Sequence, residues 1–433
     1  MIPTFKSVWF TLPFSLMAVA TLTPQLNLAT GVIDLSNPAS PLLTGPNIFL
    51  SQANRMAGVT FQRLHSFDGG LNGQRPRGQL VLYQGNLYGV TESGGTRDYG
   101  IIYRLSSNGT GFTNLHSFNP NPNPAHEGAN PGGGLTLYNN VLYGTTYLGG
   151  LNNGGTVYRS SPGGSVAVLR AFPTSNSDGA FPLCDLLRVN SRFYGTTTGG
   201  VRDDTAGTDS SNGTVFQFTP GNPIRILYRF RSGSGKPNKP VGWVIPDGAG
   251  NLYGVTQKGG SSRDAGVLFK LSPTGSLTIL KRLGGSLGAE PLGGLIKDSA
   301  GNFYGTTSTG GQFTFGTLFK WSSSGTFSIL RHFNQTLAGG GVGGGAPLTI
   351  DAAGNLYGIT NGGGISNGTV FRYSTATKKL TVLYNFDGST ANGVQPSGPL
   401  LLRQQSNGVV LYGTTLAGGQ TNNGVVFKLT VTQ

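Results

Sequence analysis

The 433-residue chain carries 30 Lys and Arg against 16 Asp and Glu, a formal net charge of +14, with one cysteine. That lone cysteine excludes an intramolecular disulfide and a zinc site built from several thiolates. The basic residues are scattered rather than run together, which argues against a nucleic-acid arm, and the diffuse positive field suits an anionic polymer or cell surface. The 73 glycines follow no Gly-X-Y period, so the chain reads as folded and turn-rich.

Taken in chain order, residues 1–20 read as an export signal. Lys6 gives a weak positive start, residues 8–20 (VWFTLPFSLMAVA) are apolar but too short to span a bilayer, and Ala18-Val19-Ala20 resembles a cleavage site. Residues 21–58, with Pro24, Pro38, Pro41 and Pro46, read as a linker. No other segment is apolar enough for a membrane span, and no anchor is expected after Gln433. The expected location is secreted, periplasmic or at the cell surface.

From residue 59 to 433 one grammar repeats with a period of roughly 50–60 residues. Its signature is Tyr-Gly-x-Thr, at Tyr88, Tyr143, Tyr194, Tyr253, Tyr304, Tyr357 and Tyr412, with a glycine pair a few residues on. In the unit around Tyr304, residues 291–296 form a short apolar strand and 298–301 a turn. Residues 302–307 form a second strand, 316–321 a third and 327–333 (FSILRHF) a fourth. Short strands bounded by Gly, Asn, Asp and Ser, without helical periodicity, make an antiparallel meander. Meanders repeated in this way are β-propeller blades, each burying its faces only against its neighbours.

The last unit stops at its third strand, 424–429, and the missing fourth pattern stands at the start: 61–67 (FQRLHSF) matches 112–118 (FTNLHSF). The fold expected is therefore all-β, a seven-bladed β-propeller of four-stranded antiparallel blades, closed by an N-terminal strand pairing into the last blade. The tyrosines are expected in the core, and the Gly after each is expected to leave a gap filled by a neighbouring blade or its tyrosine ring. The motif threonine is expected to bond nearby backbone or simply to favour a strand. Cys184, in an apolar run, is expected to be buried and inert. Arg104, Arg159, Lys270, Lys320, Arg372 and Lys428 follow the third-strand aromatic, with Gln217 the exception, and are expected to guard sheet edges.

The unit [Asn]-[Leu/Phe]-Tyr-Gly-[Thr/Val/Ile]-Thr-x-x-Gly-Gly, then Gly-[Thr/Val]-[Val/Leu]-[Phe/Tyr], then Leu-x-x-Phe, resembles the GloVer tandem repeat of exported bacterial proteins over residues 60–433. The resemblance implies a propeller-like exported protein without an assigned activity. The period also resembles that of kelch repeats, but no tryptophan recurs in each unit.

Turns between strands one and two, and three and four, are tight; those between two and three, and four and the next blade, are long and variable. Binding is therefore expected on the loop-rich face. Two loop features are candidate sites. His126-Glu127 pairs a histidine with an acid, a weak catalytic candidate. Asp203, Asp204 and Asp209 are loop oxygens that could bind ligand or calcium, although no EF-hand pattern is present. His65, His116 and His332 fall in fourth strands. The G-x-S-x-G matches at 284–288 and 364–368 sit on no strand-to-helix elbow, and Gly235-Lys236-Pro237 is not a phosphate loop. Asn108, Asn212 and Asn367 open formal sequons that read equally as turns. The reading is a non-catalytic, monomeric exported propeller with no cofactor and no nucleic-acid partner, binding a polysaccharide or protein. The alternative is a propeller lyase or hydrolase with His126 as base.

Overall fold

The computed structural model describes residues 25–26, 33–34, 58–120, 127–174, 178–200, 212–231, 233–260, 264–334, 346–362, 367–387 and 391–432. The chain divides into two compact units, Met1–Ala53 and Asn54–Gln433. In the first, Gln25–Leu26 pairs antiparallel with Ile33–Asp34; the expected signal over 1–20 lies outside the described residues.

The second unit is a ring of seven antiparallel blades, as the repeat count predicts. Blade 1 shows the plan: an inner strand Gln74–Tyr83, a second strand Asn86–Ser93, a third Ile101–Ser106 and an outer strand Thr113–Ser117. Blades 2 to 6 follow over 128–171, 187–229, 238–282, 296–332 and 349–385, the inner strand of blade 2 being split into Gly128–Pro131 and Thr136–Tyr138. Blade 7 takes Val394–Gln405, Gly408–Ala417 and Val425–Thr432 from the end of the chain and its outer strand, Val59–Ser66, from the beginning. Phe61 lies opposite Leu429, and Val59 opposite Val431. The ring closes where the sequence predicts.

Two glycine columns explain why the repeat is written as it is. The Gly after each motif tyrosine pairs directly across from the third-strand aromatic of its own blade, as Gly305 does with Phe319. A Cβ on Gly305 would stand 2.6 Å from the Phe319 ring, and one on Gly89 would stand 2.4 Å from the Tyr103 hydroxyl. The gap is thus filled from within the blade, which corrects the expectation of a neighbour. The neighbour instead clamps the filling ring: Phe118 of blade 1 meets Tyr158 of blade 2 edge-on at 5.2 Å, and Phe67 meets Tyr103 at 5.1 Å. The second column is the Gly that opens the third strand. At Gly100 and Gly316, with φ of 93° and 92°, a side chain would strike the carbonyl oxygen of the motif threonine at 2.3 and 2.0 Å. Its own carbonyl takes the N–H of the residue that ends the outer strand, as in Phe118 to Gly100 at 3.0 Å.

The motif threonine has a backbone task in every blade. The hydroxyls of Thr91, Thr146, Thr197, Thr256, Thr307, Thr360 and Thr415 each accept the first N–H of the third strand at 2.9–3.2 Å. All seven are buried. In several blades the same hydroxyl donates to the carbonyl two residues on, shaping the bend into the glycine pair.

The core lies between blades. One apolar cluster joins Leu64, Phe67, Val410 and Tyr412 of blade 7 to Leu80, Leu87 and Tyr103 of blade 1; another joins Tyr88 and Phe118 of blade 1 to Leu135 and Tyr158 of blade 2. Two of the clamped rings carry a cost. Tyr103 and Tyr158 occupy the column filled by Phe in the other five blades, and their hydroxyls are buried without a partner among the described residues. Burial pushes both phenols far above their ordinary range. An unpaired buried hydroxyl costs about 1–3 kcal/mol. Tyr103→Phe and Tyr158→Phe are each expected to raise stability by about 1 kcal/mol, read as a higher midpoint in urea. A lowered midpoint in both would show that the hydroxyls are paired.

The row of basic residues does not guard sheet edges. Each stands in the third strand, directly across from a motif tyrosine, as Lys320 does from Tyr304 and Arg104 from Tyr88. The Lys270 and Lys320 ammonium groups both lie 5.9 Å from the tyrosine ring centroid. This is a cross-strand pair of cation and ring inside the sheet.

Candidate functional site: the loop-rich mouth of the channel

The inner strands enter the channel through a recurring kink. Six of them begin with a residue and a proline: Arg75-Pro76, Asn130-Pro131, Phe181-Pro182, Lys239-Pro240, Glu290-Pro291 and Gln395-Pro396. The residue before each proline has a φ of 53–61°. Its N–H donates to a carbonyl of the preceding blade at 2.7–3.1 Å, the residue before that blade's third-strand glycine. The proline ring lies against that glycine, as Pro131 does against Gly100. A left-handed backbone costs a side-chain-bearing residue about 1–2 kcal/mol, and it recurs here around one opening. The side chains at this position differ in every blade, and those of Phe181 and Lys239 line the cavity described next.

A second ring of individual residues directly follows each Tyr-Gly-x-Thr. Of these, Tyr147, Thr198, Gln257, Asn361 and Leu416 line a cavity of about 650 Å³. Part of its wall over blades 2 and 3 is apolar. The Tyr147 and Phe181 rings are 5.2 Å apart and tilted by 41°, with Leu183 beside them, 42% exposed. Polar groups line the rest, including Lys239, Gln257, Asn361, Ser397 and Arg77. Arg75 and Arg77 both pair with Glu92, at 3.2 and 2.5 Å.

Asp185 also lines this cavity, although the residue is only 7% exposed. Its Oδ1 accepts the backbone N–H of Gln79 of blade 1 at 3.1 Å and that of Gly134 of blade 2. The carboxyl of blade 3 therefore ties three blades together. Burial raises its pKa, against the lowering pull of those two N–H groups. Its own backbone N–H is a third donor to the carboxyl. The neighbouring Cys184 is buried, as expected; its sulfur accepts the Thr196 N–H at 3.1 Å, and burial pushes the thiol up to about 11.

Past Asp185 the inner strands close on one another. A Cβ on Gly78 would lie 2.0 Å from Gly134 N, one on Gly242 2.2 Å from Gly294 N, and one on Gly398 2.6 Å from Gly78 O. These small residues form a collar in which neighbouring inner strands pack closely side by side.

Of the residues singled out in the sequence as candidate sites, one is described. His126, Asp203, Asp204 and Asp209 lie outside the described residues. Glu127 is described, and its Oε2 sits 3.1 Å from Nε2 of His116 in the outer strand of blade 1, away from the cavity lining. His65 stacks on Phe112 at 3.9 Å and burial lowers its pKa to about 4, while Nδ1 of His332 accepts the Gln312 N–H. Among the described residues no group of three or more His, Cys, Asp or Glu could hold a metal.

The repeat itself matches a known pattern. Residues 52–208, 122–298 and 240–433 match the Gloeobacter/Verrucomicrobia repeat. The chain belongs to that family. No curated protein matches it. Among solved structures, it resembles the extracellular domain of the one-component system BT4673 of B. thetaiotaomicron, at 12% identity and a TM-score of 0.50. That match covers 85% of this chain and 40% of the other, so this repeat protein spans less than half of it. A gluconolactonase of Xanthomonas campestris, XC5397, matches at 14% identity and TM-score 0.41, covering 77% of this chain and 93% of the other. A protein of unknown function from Dyadobacter fermentans matches at 10% and 0.43, covering 87% and 100%. These likenesses concern the fold. Among the described residues no helix is long and apolar enough to cross a membrane.

Sequence reasoning missed Asp185. The signal lay in the repeat column: three residues after the inner-strand proline the other blades carry Gln79, Gly134, Trp243, Gly294 and Pro399, and blade 6, which lacks that proline, carries Pro347 before Leu348. An acid in an otherwise uncharged column marks a departure from the framework.

Proposed function

We propose that this member of the repeat family is an exported, non-catalytic, monomeric binding propeller that takes a carbohydrate at the loop-rich mouth of its channel. The observation that carries this reading is Asp185. With Oδ1 fixed by two blades, its carboxyl can accept hydrogen bonds from ligand hydroxyls in a cavity that Tyr147 and Phe181 also line. Aromatic rings offer a flat apolar platform for the faces of sugar rings, while Gln257, Asn361 and Lys239 supply donors. Export rests on the leader at 1–20, with 21–58 as linker and 59–433 as the propeller.

The same carboxyl supports a second reading. A buried acid with a raised pKa in a cavity is also what a hydrolase or lyase uses as general acid. The experiment separates the two. The purified chain is screened against a polysaccharide panel, with retention and product release scored apart. Asp185→Asn is expected to keep the Gln79 and Gly134 bonds through its carbonyl and to lower affinity at least tenfold. It is also expected to raise the melting temperature at pH 7, since the charge is no longer desolvated. The raised pKa makes native Asp185 cost stability above the unfolded carboxyl's range and relieves that cost as pH falls, and Asp185→Asn should lose this dependence. Retention unchanged in Asp185→Asn would overturn the site; product release that Asp185→Asn abolishes would favour the enzyme.

A further inference from the structure

The opposite end of the channel is built from different chemistry. On the tight-turn side of the glycine collar a cavity of about 700 Å³ opens, within the range of small-molecule sites. Its walls are aliphatic side chains of the inner strands, among them Leu82 of blade 1, Leu137 of blade 2, Leu187 of blade 3, Ile245 of blade 4, Ile350 of blade 6 and Leu401 of blade 7. Trp243 lines it too, its indole N–H donating to the Leu295 carbonyl at 2.7 Å. This end shares only Pro399 with the lining of the loop-rich cavity.

Its charged lining is wholly cationic: Arg188 and Lys297, with no Asp or Glu. Neither cation is ion-paired among the described residues. Lys297 Nζ donates to the Pro246 carbonyl at 3.0 Å; Arg188 donates to the Asn190 carbonyl at 2.7 Å and lies 5.2 Å from the Tyr138 ring centroid. The nearest acids of this face hold hydrogen bonds within their own turns, which leave their negative charge in place. Asp298 accepts from Asn302 and the Tyr304 hydroxyl, Asp351 from Asn355 and the Tyr357 hydroxyl, and Asp247 from Ala249 and Asn251. The third-strand bases, Arg104, Arg159, Lys270, Lys320, Arg372 and Lys428, stand on the half of each blade nearest these turns. With Arg188 and Lys297 these bases outnumber the three carboxylates, so the field at this mouth favours anions.

We propose that this cavity is a binding site for a medium-chain fatty acid, the alkyl chain in the aliphatic throat and the carboxylate at Arg188 and Lys297. Depth sets the chain length. The inner strand runs three residue steps from Gln79 to Leu82, about 10 Å at the usual rise per residue, which accommodates one short extended chain. A phospholipid would have to lodge two chains in the same throat, so the free acid is the occupant.

The test titrates the full chain with fatty acids from hexanoate to decanoate below their micelle concentrations, by calorimetry and by Trp243 emission in a background with Trp9→Phe and Trp321→Phe. Each added methylene is expected to tighten binding about four-fold. Arg188→Gln with Lys297→Gln, both near the surface, is expected to weaken decanoate at least tenfold and to leave decanol unchanged. Asp185→Asn, which alters the other mouth, is expected to leave decanoate affinity unchanged, so failure here and failure of the carbohydrate reading are separable. Affinity that does not vary with chain length, or decanoate binding that survives loss of both cations, would overturn the proposal. So would anionic phospholipid vesicles that bind the chain more tightly than decanoate and displace it.

Discussion

Gly305→Val is expected to destabilise the propeller by about 2–3 kcal/mol, the upper range for overpacking a filled core. Strand propensity would predict the opposite, since valine is favoured and glycine disfavoured in strands, and Gly305 has no left-handed backbone to lose. The cost is steric. Phe319 stands 2.6 Å and Leu295 3.0 Å from where the new Cβ would be, and neither can withdraw. Phe319 is fully buried between strands of its own blade, and Leu295 belongs to the inner strand at the channel. Trimming the obstructing ring tests this cause directly. Phe319→Leu alone loses packing, but in the Gly305→Val background it makes room, so the double variant is expected to lie above the sum of the single losses by about 1–2 kcal/mol. Gly85→Asn serves as the contrast. Gly85 sits in a tight turn with φ of 77° and nothing within 4 Å of its Cβ position, and asparagine tolerates that backbone. Its urea midpoint should barely move. Strictly additive losses at Gly305 and Phe319 would show that the two do not share the space.

The repeat made the ring legible because periodicity reports columns. Seven tyrosine motifs predict seven blades, and an outer-strand pattern at 61–67 without a unit of its own predicts that it completes the last one. Columns do not report partners. The Gly after Tyr announces that something lies close, yet whether that is Phe319 of the same sheet or a ring from the next depends on register across the hairpin, which composition does not encode. The basic residues beside the third-strand aromatic misled for the same reason: their alternation fits an exposed edge, whereas the pairing places Lys320 across from Tyr304. The site was hidden differently. The search for chemistry went to loops holding a histidine beside an acid, and Glu127 turned out to serve His116 at the rim. Asp185 lies in an apolar run, 181–187, where an acid looks like an interruption, and its meaning emerges only when the inner strands of three blades converge on it. The site proposed for carbohydrate sits where the repeat departs from itself, at a position whose backbone the framework fixes.

Removing residues 1–67 is expected to unfold or oligomerise the protein, while removing residues 1–57 leaves the closed ring intact. The difference is the outer strand of blade 7. Without Val59–Ser66, the strand Val425–Thr432 becomes a sheet edge with a row of unpaired backbone groups, a template for association with other chains. Three apolar anchors leave with it. Phe61 stacks on Tyr384 of blade 6 at 4.2 Å, Leu64 is buried between blades 7 and 1, and Phe67 is fully buried against Tyr103. At about 1.5–3 kcal/mol for each buried side chain, their loss amounts to about 5–9 kcal/mol, comparable to the whole stability of an ordinary domain. The strand matters by its place in the sheet and not by its place in the chain. Fusing residues 58–67 after Gln433 through a short glycine-rich linker, in a chain that begins at residue 68, is therefore expected to restore a monomer with a melting temperature near that of the parent. A chain lacking 1–67 that stays monomeric and melts like the parent would refute closure by the N-terminal strand. Failure of the fused strand alone, with the deletion still unfolding, would instead show that the short link cannot carry the strand back along Val425–Thr432 in the antiparallel register.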